Sequence, residues 1–143
     1  MKAYEIPVSR PAFKMLKRDC GYTHFLRVDK LVMSKKSTRR RTEHYEKYLN
    51  EAGENQVMIT LVCPYASHGN LYTIARMIEH TFNQKFLLFV EAAVAHELDA
   101  SEAIRKFMDK YDLAIEEFEW ETAWKKWQRY RKREKELDLI PLW

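Results

Sequence analysis

Apolar and polar positions alternate at the start of the chain, where Tyr4, Ile6 and Val8 are interleaved with Glu5 and Pro7. A period of two predicts a short strand. Pro7 puts that strand at a sheet edge, because proline has no N–H to donate to a ladder. Ser9 followed by Pro11 then predicts a helix start, with serine as cap and proline in the first turn, where a missing N–H costs nothing. Phe13, Met15 and Leu16 give this helix an apolar side, and Gly21 after Cys20 gives it a stop. From Thr23 to Met33 the residues Phe25, Leu26, Val28, Leu31, Val32 and Met33 mix with Arg27, Asp29 and Lys30, a strand pattern with a bulge or slip near its middle. Ser34 to Thr42 reads as a polar, basic loop, and Glu43 to Gly53 as a short helix through Tyr45, Tyr48 and Leu49. Gln56 to Cys63 is nearly continuous in apolar residues and β-rich, the pattern of a central strand, and Pro64 closes it.

After Ala66 to Asn70 the period changes. Leu71, Ile74, Ile78, Phe82, Phe86, Phe89, Val90, Ala93 and Val94 recur at steps of three and four, predicting a long helix over Leu71 to Leu98 with a break near Asn83. Asp99 with Glu102 three residues on predicts a capping box at the next helix start, and Ala103, Ile104, Phe107, Met108 and Tyr111 form that helix's apolar stripe. Asp112 to Glu119 is expected to turn, with Leu113, Ile115 and Phe118 pointing inward, before a last helix from about Trp120 to Glu136. The fold class is therefore α+β: a small N-terminal β-sheet with short helices, followed by a C-terminal three-helix unit. A single domain over 1–143 is expected, with an α/β part over 1–66 and a helical part over 67–143.

Size agrees with this. A chain of 143 residues with 46% apolar residues can bury a stable core without disulfides or metals. Two cysteines, Cys20 and Cys63, are too few for a disulfide framework and read as buried thiols, although a bridge between them stays open. The first residues lack the apolar core of a signal peptide, and the longest apolar runs, broken by Glu91, are too short to span a bilayer. No membrane partner is expected, and the expected compartment is a reducing cytoplasm. The net charge of +4 conceals a segregation. Residues 1–48 hold 13 Lys and Arg against 5 Asp and Glu, residues 49–124 hold 5 against 13, and residues 125–143 hold 7 against 3. Clustered charge of this kind makes local fields that bear on partners.

Catalytic and metal-binding patterns are missing from the sequence. His24, His44, His68, His80 and His96 do not have zinc-site spacing, and neither cysteine has a nearby cysteine. Cys63 follows a strand, where nucleophiles occur, but only His68 is close enough in sequence to serve as its base, so a buried strand cysteine is the simpler reading. Gly21, Gly53 and Gly69 are isolated turn or cap residues and make no phosphate loop. No enzyme activity and no cofactor are expected.

Two stretches, Ala100 to Tyr111 and Trp120 to Arg133, carry a resemblance. The first is short and amphipathic with the small Ala103 on its packing face; the second packs through Trp120, Ala123, Trp124 and Trp127; a connector with buried Leu113 lies between them. The pair resembles the second and third helices of helix-turn-helix proteins, over about 35 of the 143 residues. Its connector is longer than the usual three or four residues. In that family the last helix enters the DNA major groove. The resemblance implies a DNA-binding accessory or regulatory protein, acting as a homo-oligomer on double-stranded DNA. The candidate contacts are Lys125, Lys126, Gln128, Arg129, Lys132 and Arg133, joined by the loop cations Lys35, Lys36, Arg39, Arg40 and Arg41. Glu116, Glu117, Glu119 and Glu121 crowd the start of this helix and would repel phosphate, so contact is expected through its C-terminal half. A solvated helix whose cations suit the C-terminal end of the dipole accounts for the same run. Tyr4 to Arg10 and Glu121 to Tyr130 are also similar in style to small uncharacterised proteins of phages and mobile elements of gut bacteria. That likeness keeps open a second class, a phage-particle assembly protein. In it, basic ends would meet acidic middles of neighbouring subunits, and Ile140, Leu142 and Trp143 would dock on the domain or on a neighbour.

Overall fold

The computed structural model describes residues 1–29, 43, 46–47 and 56–138. Lys30 to Met33, the basic loop Ser34 to Thr42, most of Glu43 to Gly53 and the apolar tail after Asp138 lie outside the described residues. The chain is α+β: β1 (Lys2–Ser9), α1 (Arg10–Asp19), β2 (Leu26–Arg27), β3 (Gln56–Cys63), then helices α2 (His68–Ala95), α3 (Ala100–Lys110) and α4 (Trp120–Asp138). It separates into two compact units, Met1–Phe82 and Asn83–Trp143, and the boundary falls within α2. The break expected near Asn83 does not interrupt that helix, which runs for 28 residues.

In the first unit the sheet order is β1-β3-β2, with β1 antiparallel and β2 parallel to β3. Among the described residues the nearly unbroken apolar run of β3 is central and the proline-bearing β1 is an edge. Register pairs Ile6 with Ile59 and Tyr4 with Leu61. Ile6, Val8, Ile59, Leu61 and Cys63 are fully buried, and Ala12, Met15 and Leu16 of α1 and Leu71, Ile74, Ala75 and Ile78 of α2 are buried in the same unit. Ser9 ties these elements together. Its hydroxyl accepts the Ala12 N–H at 3.3 Å and donates to Glu79 Oε2 at 2.8 Å, while its backbone N–H donates to Glu79 Oε1 at 2.7 Å. Strand alternation gives Ser9 and Pro7 the same edge of β1. One outward N–H is therefore held by a carboxylate and the other does not exist, which blunts an edge open to strand addition. On the far side of β3 the Thr60 N–H donates to the Tyr22 hydroxyl at 3.0 Å. Of the strand expected over Thr23 to Met33, the described residues pair over Leu26–Arg27, with Val28 N–H adding a bond to Val62 O at 2.9 Å. Cys63 is buried as expected, whereas Cys20 is exposed and both thiols are free. Cys20 is the helix C-cap, where the chain leaves the apolar face of α1.

In the second unit the core is aromatic. Phe86 meets Phe107 at 5.2 Å and Phe118 at 5.5 Å between ring centroids, both edge-on. Ala103, Ile104, Leu113, Ala123 and Trp127 complete this core. Ile115, expected to point inward, is 71% exposed. The Glu117 N–H and the Phe118 N–H both bond back to Ala114 O, so residues 114–118 form a helical turn. That turn directs Phe118 inward and Ile115 outward. The capping box at Asp99 does not form: Asp99 is the N-cap of α3, but its side chain makes no cap bond.

Helices α2 and α3 end alike, and without glycine. Leu98 N–H bonds to Ala93 O at 3.0 Å and Leu113 N–H to Met108 O at 2.8 Å, with Glu97 (φ 65) and Asp112 (φ 52) in the left-handed region between helix and leucine. These are Schellman ends in which a side-chain-bearing residue occupies the position glycine usually takes. A left-handed non-glycine residue costs about 1–2 kcal/mol. Glu97→Gly and Asp112→Gly are therefore each expected to raise the unfolding free energy by about 1 kcal/mol. Gly21→Ala, at φ +66 with nothing within 4 Å of an added Cβ, is expected to lower it by a similar amount through backbone strain alone. Urea denaturation of the three variants checks both directions.

Candidate nucleic-acid interface

Helix α4 begins among carboxylates with structural partners. Glu117 Oε1 accepts the Ala114 N–H at 2.8 Å, Thr122 Oγ1 donates to Glu119 Oε2 at 3.3 Å, and Glu121 sits in the first turn, where the helix dipole favours negative charge. Acidic residues at this end thus serve the turn and the helix start.

Four residues fix how the helix sits within its unit. Ala123 and Trp127 are buried in the aromatic core. On the adjoining flank Lys126 Nζ donates to Asn83 Oδ1 at 3.1 Å, and the Tyr130 hydroxyl donates to Glu91 Oε2. Both acceptors lie on the part of α2 that belongs to this unit. With that face inward, Lys125, Gln128, Arg129, Lys132 and Arg133 are all exposed. Their spacing of three and four residues places them in two adjoining rows on one side of the helix. Lys125 and Arg133 are separated by about 12 Å along the axis at ~1.5 Å per residue. Among the described residues, Lys125, Arg129, Lys132 and Arg133 take part in no salt bridge.

The structure thus brings together five of the six α4 residues expected to contact nucleic acid and sets the sixth, Lys126, apart: it is half-buried and bonded to Asn83. Lys35, Lys36, Arg39, Arg40 and Arg41 lie outside the described residues. Two further cations were not singled out by the sequence pattern. Arg131 and Lys135 line a shallow recess of about 480 Å³ together with Gln128, Arg129 and Lys132. Both lie on the tryptophan side of the helix, where periodicity points toward the core. They are exposed because burial stops at Tyr130, after which residues 131–136 are exposed all round the helix. The sequence carried this signal in its composition, since no apolar residue stands between Tyr130 and Leu137.

Elsewhere the chemistry is quiet. Burial pushes the Cys63 thiol above its ordinary pKa, which holds it protonated at zero exposure, an environment opposed to nucleophilic use. Among the described residues no group of three or more His, Cys, Asp or Glu side chains could hold a metal, and no helix is long and apolar enough to cross a membrane. Comparison with protein-family models, with curated proteins and with solved structures finds no match.

The hydrogen bond to Glu91, then partial burial, then the nearby charges of Glu91 and Glu134 push the Tyr130 pKa from 10.0 up to about 12. The sign follows from linkage: the folded state holds this proton more tightly than the unfolded state, so the contribution to stability is complete below pH 10 and is lost as pH rises through about 12. Tyr130→Phe is expected to lower stability by about 0.5–1.5 kcal/mol at neutral pH, because water competes for both partners of this exposed bond. The gap between wild type and variant should close as pH climbs from 10 toward 12. Urea denaturation across that range, with tyrosinate absorbance followed in parallel, measures it.

Proposed function

We propose that the protein is a non-enzymatic DNA-binding accessory or regulatory protein whose helix α4 captures backbone phosphates, with no cofactor. The observation that carries this reading is the exposed side of α4. Lys125, Arg129, Lys132 and Arg133 stand there in adjoining rows around Gln128, without salt bridges among the described residues. Phosphate capture needs cations that are exposed, clustered and not neutralised by neighbours, and this side of the helix has that character. Gln128 and Arg129 are also side chains able to make paired contacts to base edges. The carboxylates at the other end of the helix set the direction of approach, so that the C-terminal two-thirds of α4, and not its first turn, meets the polyanion.

Electrostatic capture has a quantitative signature. Each phosphate neutralised on duplex DNA contributes about 0.9 to the slope of log affinity against log salt, so four contacts give a slope of about −3.6. Removing two of them with Arg129→Ala and Arg133→Ala is expected to bring it to about −1.8. Fluorescence anisotropy of a labelled duplex over a salt series reads both slopes. Absence of binding at low salt would remove the DNA reading and leave assembly through complementary charge as the function to pursue.

A further inference from the structure

We infer that α4 holds single-stranded DNA, with a base on the Trp120–Trp124 pair and the adjoining backbone on Gln128, Arg131 and Lys135. The inference rests on the DNA-binding reading above and specifies the form of DNA.

Three observations carry it. The first is the state of the tryptophans. Trp127 is 4% exposed and belongs to the core, but Trp120 and Trp124 are only half-buried and stack on one another, with ring centroids 5.5 Å apart and planes within 8°. Neither has another ring partner among the described residues, although the Phe86–Phe107–Phe118 cluster lies in the same unit. The two indoles, stacked on each other and each part-exposed, leave some π-surface at the protein boundary, although the Nε1 edge of Trp120 is buried without a hydrogen-bond partner. Such surface accepts an unstacked base of any identity, whereas the bases of an intact duplex are stacked already.

The second is alignment. Trp120, Trp124, Gln128, Arg131 and Lys135 follow at steps of four, four, three and four, the spacing that keeps side chains on one side of a helix. The stripe therefore passes without interruption from aromatic to amide to cation. Trp124 and Lys135 are about 16 Å apart along the axis at ~1.5 Å per residue. This combination of a ring platform with a basic track beside it is what non-specific single-strand binding requires.

The third is shape and charge. Among the described residues the recess along α4 is lined by Gln128, Arg129, Arg131, Lys132 and Lys135, and none of these is a carboxylate. Of the two carboxylates flanking Lys135, Glu134 acts on Tyr130, where its charge helps to raise the phenol pKa, and Glu136 is exposed. Charge complementarity thus selects a polyanion as occupant of this side.

The test compares fluorescein-labelled (dT)12 with a 12-base-pair duplex in anisotropy titrations of the full chain. The oligothymidine is expected to bind tighter than the duplex and to quench tryptophan emission. Trp124→Ala should weaken (dT)12 binding roughly 5- to 150-fold, the range of one base stack, while changing duplex binding by less than about 2-fold. Trp124→Phe, which keeps a ring, should retain most of the affinity. Arg131→Ala with Lys135→Ala alters exposed side chains only, so it keeps the test decisive should Trp124→Ala fold poorly. That pair should weaken (dT)12 more than duplex. Duplex bound more tightly than (dT)12, with no tryptophan quenching, would overturn the inference while leaving salt-dependent DNA binding intact. Binding to neither probe would remove both readings, and a Trp124-dependent dimer under those conditions would assign this side of α4 to a second copy of the chain.

Discussion

What α4 presents to solvent depends on how Phe86 is packed. Its ring lies edge-on to Phe107 from α3 and to Phe118 from the turn before α4, and Phe107 in turn touches Phe89 at 5.5 Å and Tyr111 at 5.0 Å. Aromatic pairs of this geometry contribute about 0.5–1.5 kcal/mol each beyond the area they bury. Their larger effect is geometric. With Phe118 held, the chain enters α4 in one orientation, and Ala123 and Trp127 are the residues that reach the core. The Lys126–Asn83 and Tyr130–Glu91 bonds then fix rotation about the helix axis. A twist of one residue, about 100°, would turn Trp124 and Gln128, or Thr122 and Lys126, toward the core in place of Ala123 and Trp127. The basic side and the tryptophan side are both consequences of that lock.

Burial on this helix ends before the helix does. Trp127 is in the core, Tyr130 is at its margin, and residues 131–136 are exposed on every side. A helix that continues past its core gains nothing from apolar residues there, and the chain supplies Arg, Lys and Glu. Hydrogen bonding within the helix and the favourable propensities of those residue types sustain it.

Much of this was legible in the sequence, for reasons that can be traced. Apolar continuity in Gln56 to Cys63 identified the central strand and Pro7 the edge, because sheet position follows from burial on both faces and from a missing donor. Ser9 announced α1 because an N-cap is a local hydrogen bond, and that bond forms. Signals failed where the decisive partner is distant or the usual residue is absent. Nothing near Ser9 in sequence reveals that Glu79, 70 positions on, takes both its backbone and side-chain donors. The ends of α2 and α3 lack glycine, and only the leucines at 98 and 113, each closing a Schellman bond, mark them. Asp99 with Glu102 has capping-box spacing, yet the Asp99 side chain makes no cap bond; spacing states which bond is available, not whether the rotamer that makes it is chosen. The basic side of α4 was visible as a run, but the bond that helps to set Lys126 apart from it is to Asn83, a partner 43 positions away.

The plainest account of that run is a solvated helix whose cations complement the dipole, and the structure allows it to be weighed. Dipole stabilisation falls off within the last turn of a helix. In α4 the only basic residue of the last turn is Lys135, so the dipole has no claim on Lys125, Arg129, Lys132 or Arg133, which lie one to three turns earlier. Glu121, four residues before Lys125, and Glu136, four after Lys132, share that side, so what solvation leaves unexplained is the stretch of it between them, where the only charges are cations. Glu-to-Lys pairs at a spacing of four stabilise an exposed helix by a few tenths of a kcal/mol, and a face shaped for stability alone would interleave them. Between Thr122 and Arg133 there is no carboxylate. Like charges at i and i+4, such as Lys125 with Arg129 and Arg129 with Arg133, cost the helix comparable amounts. That repeated local cost along one side is offset neither by the helix dipole nor by salt bridges among the described residues.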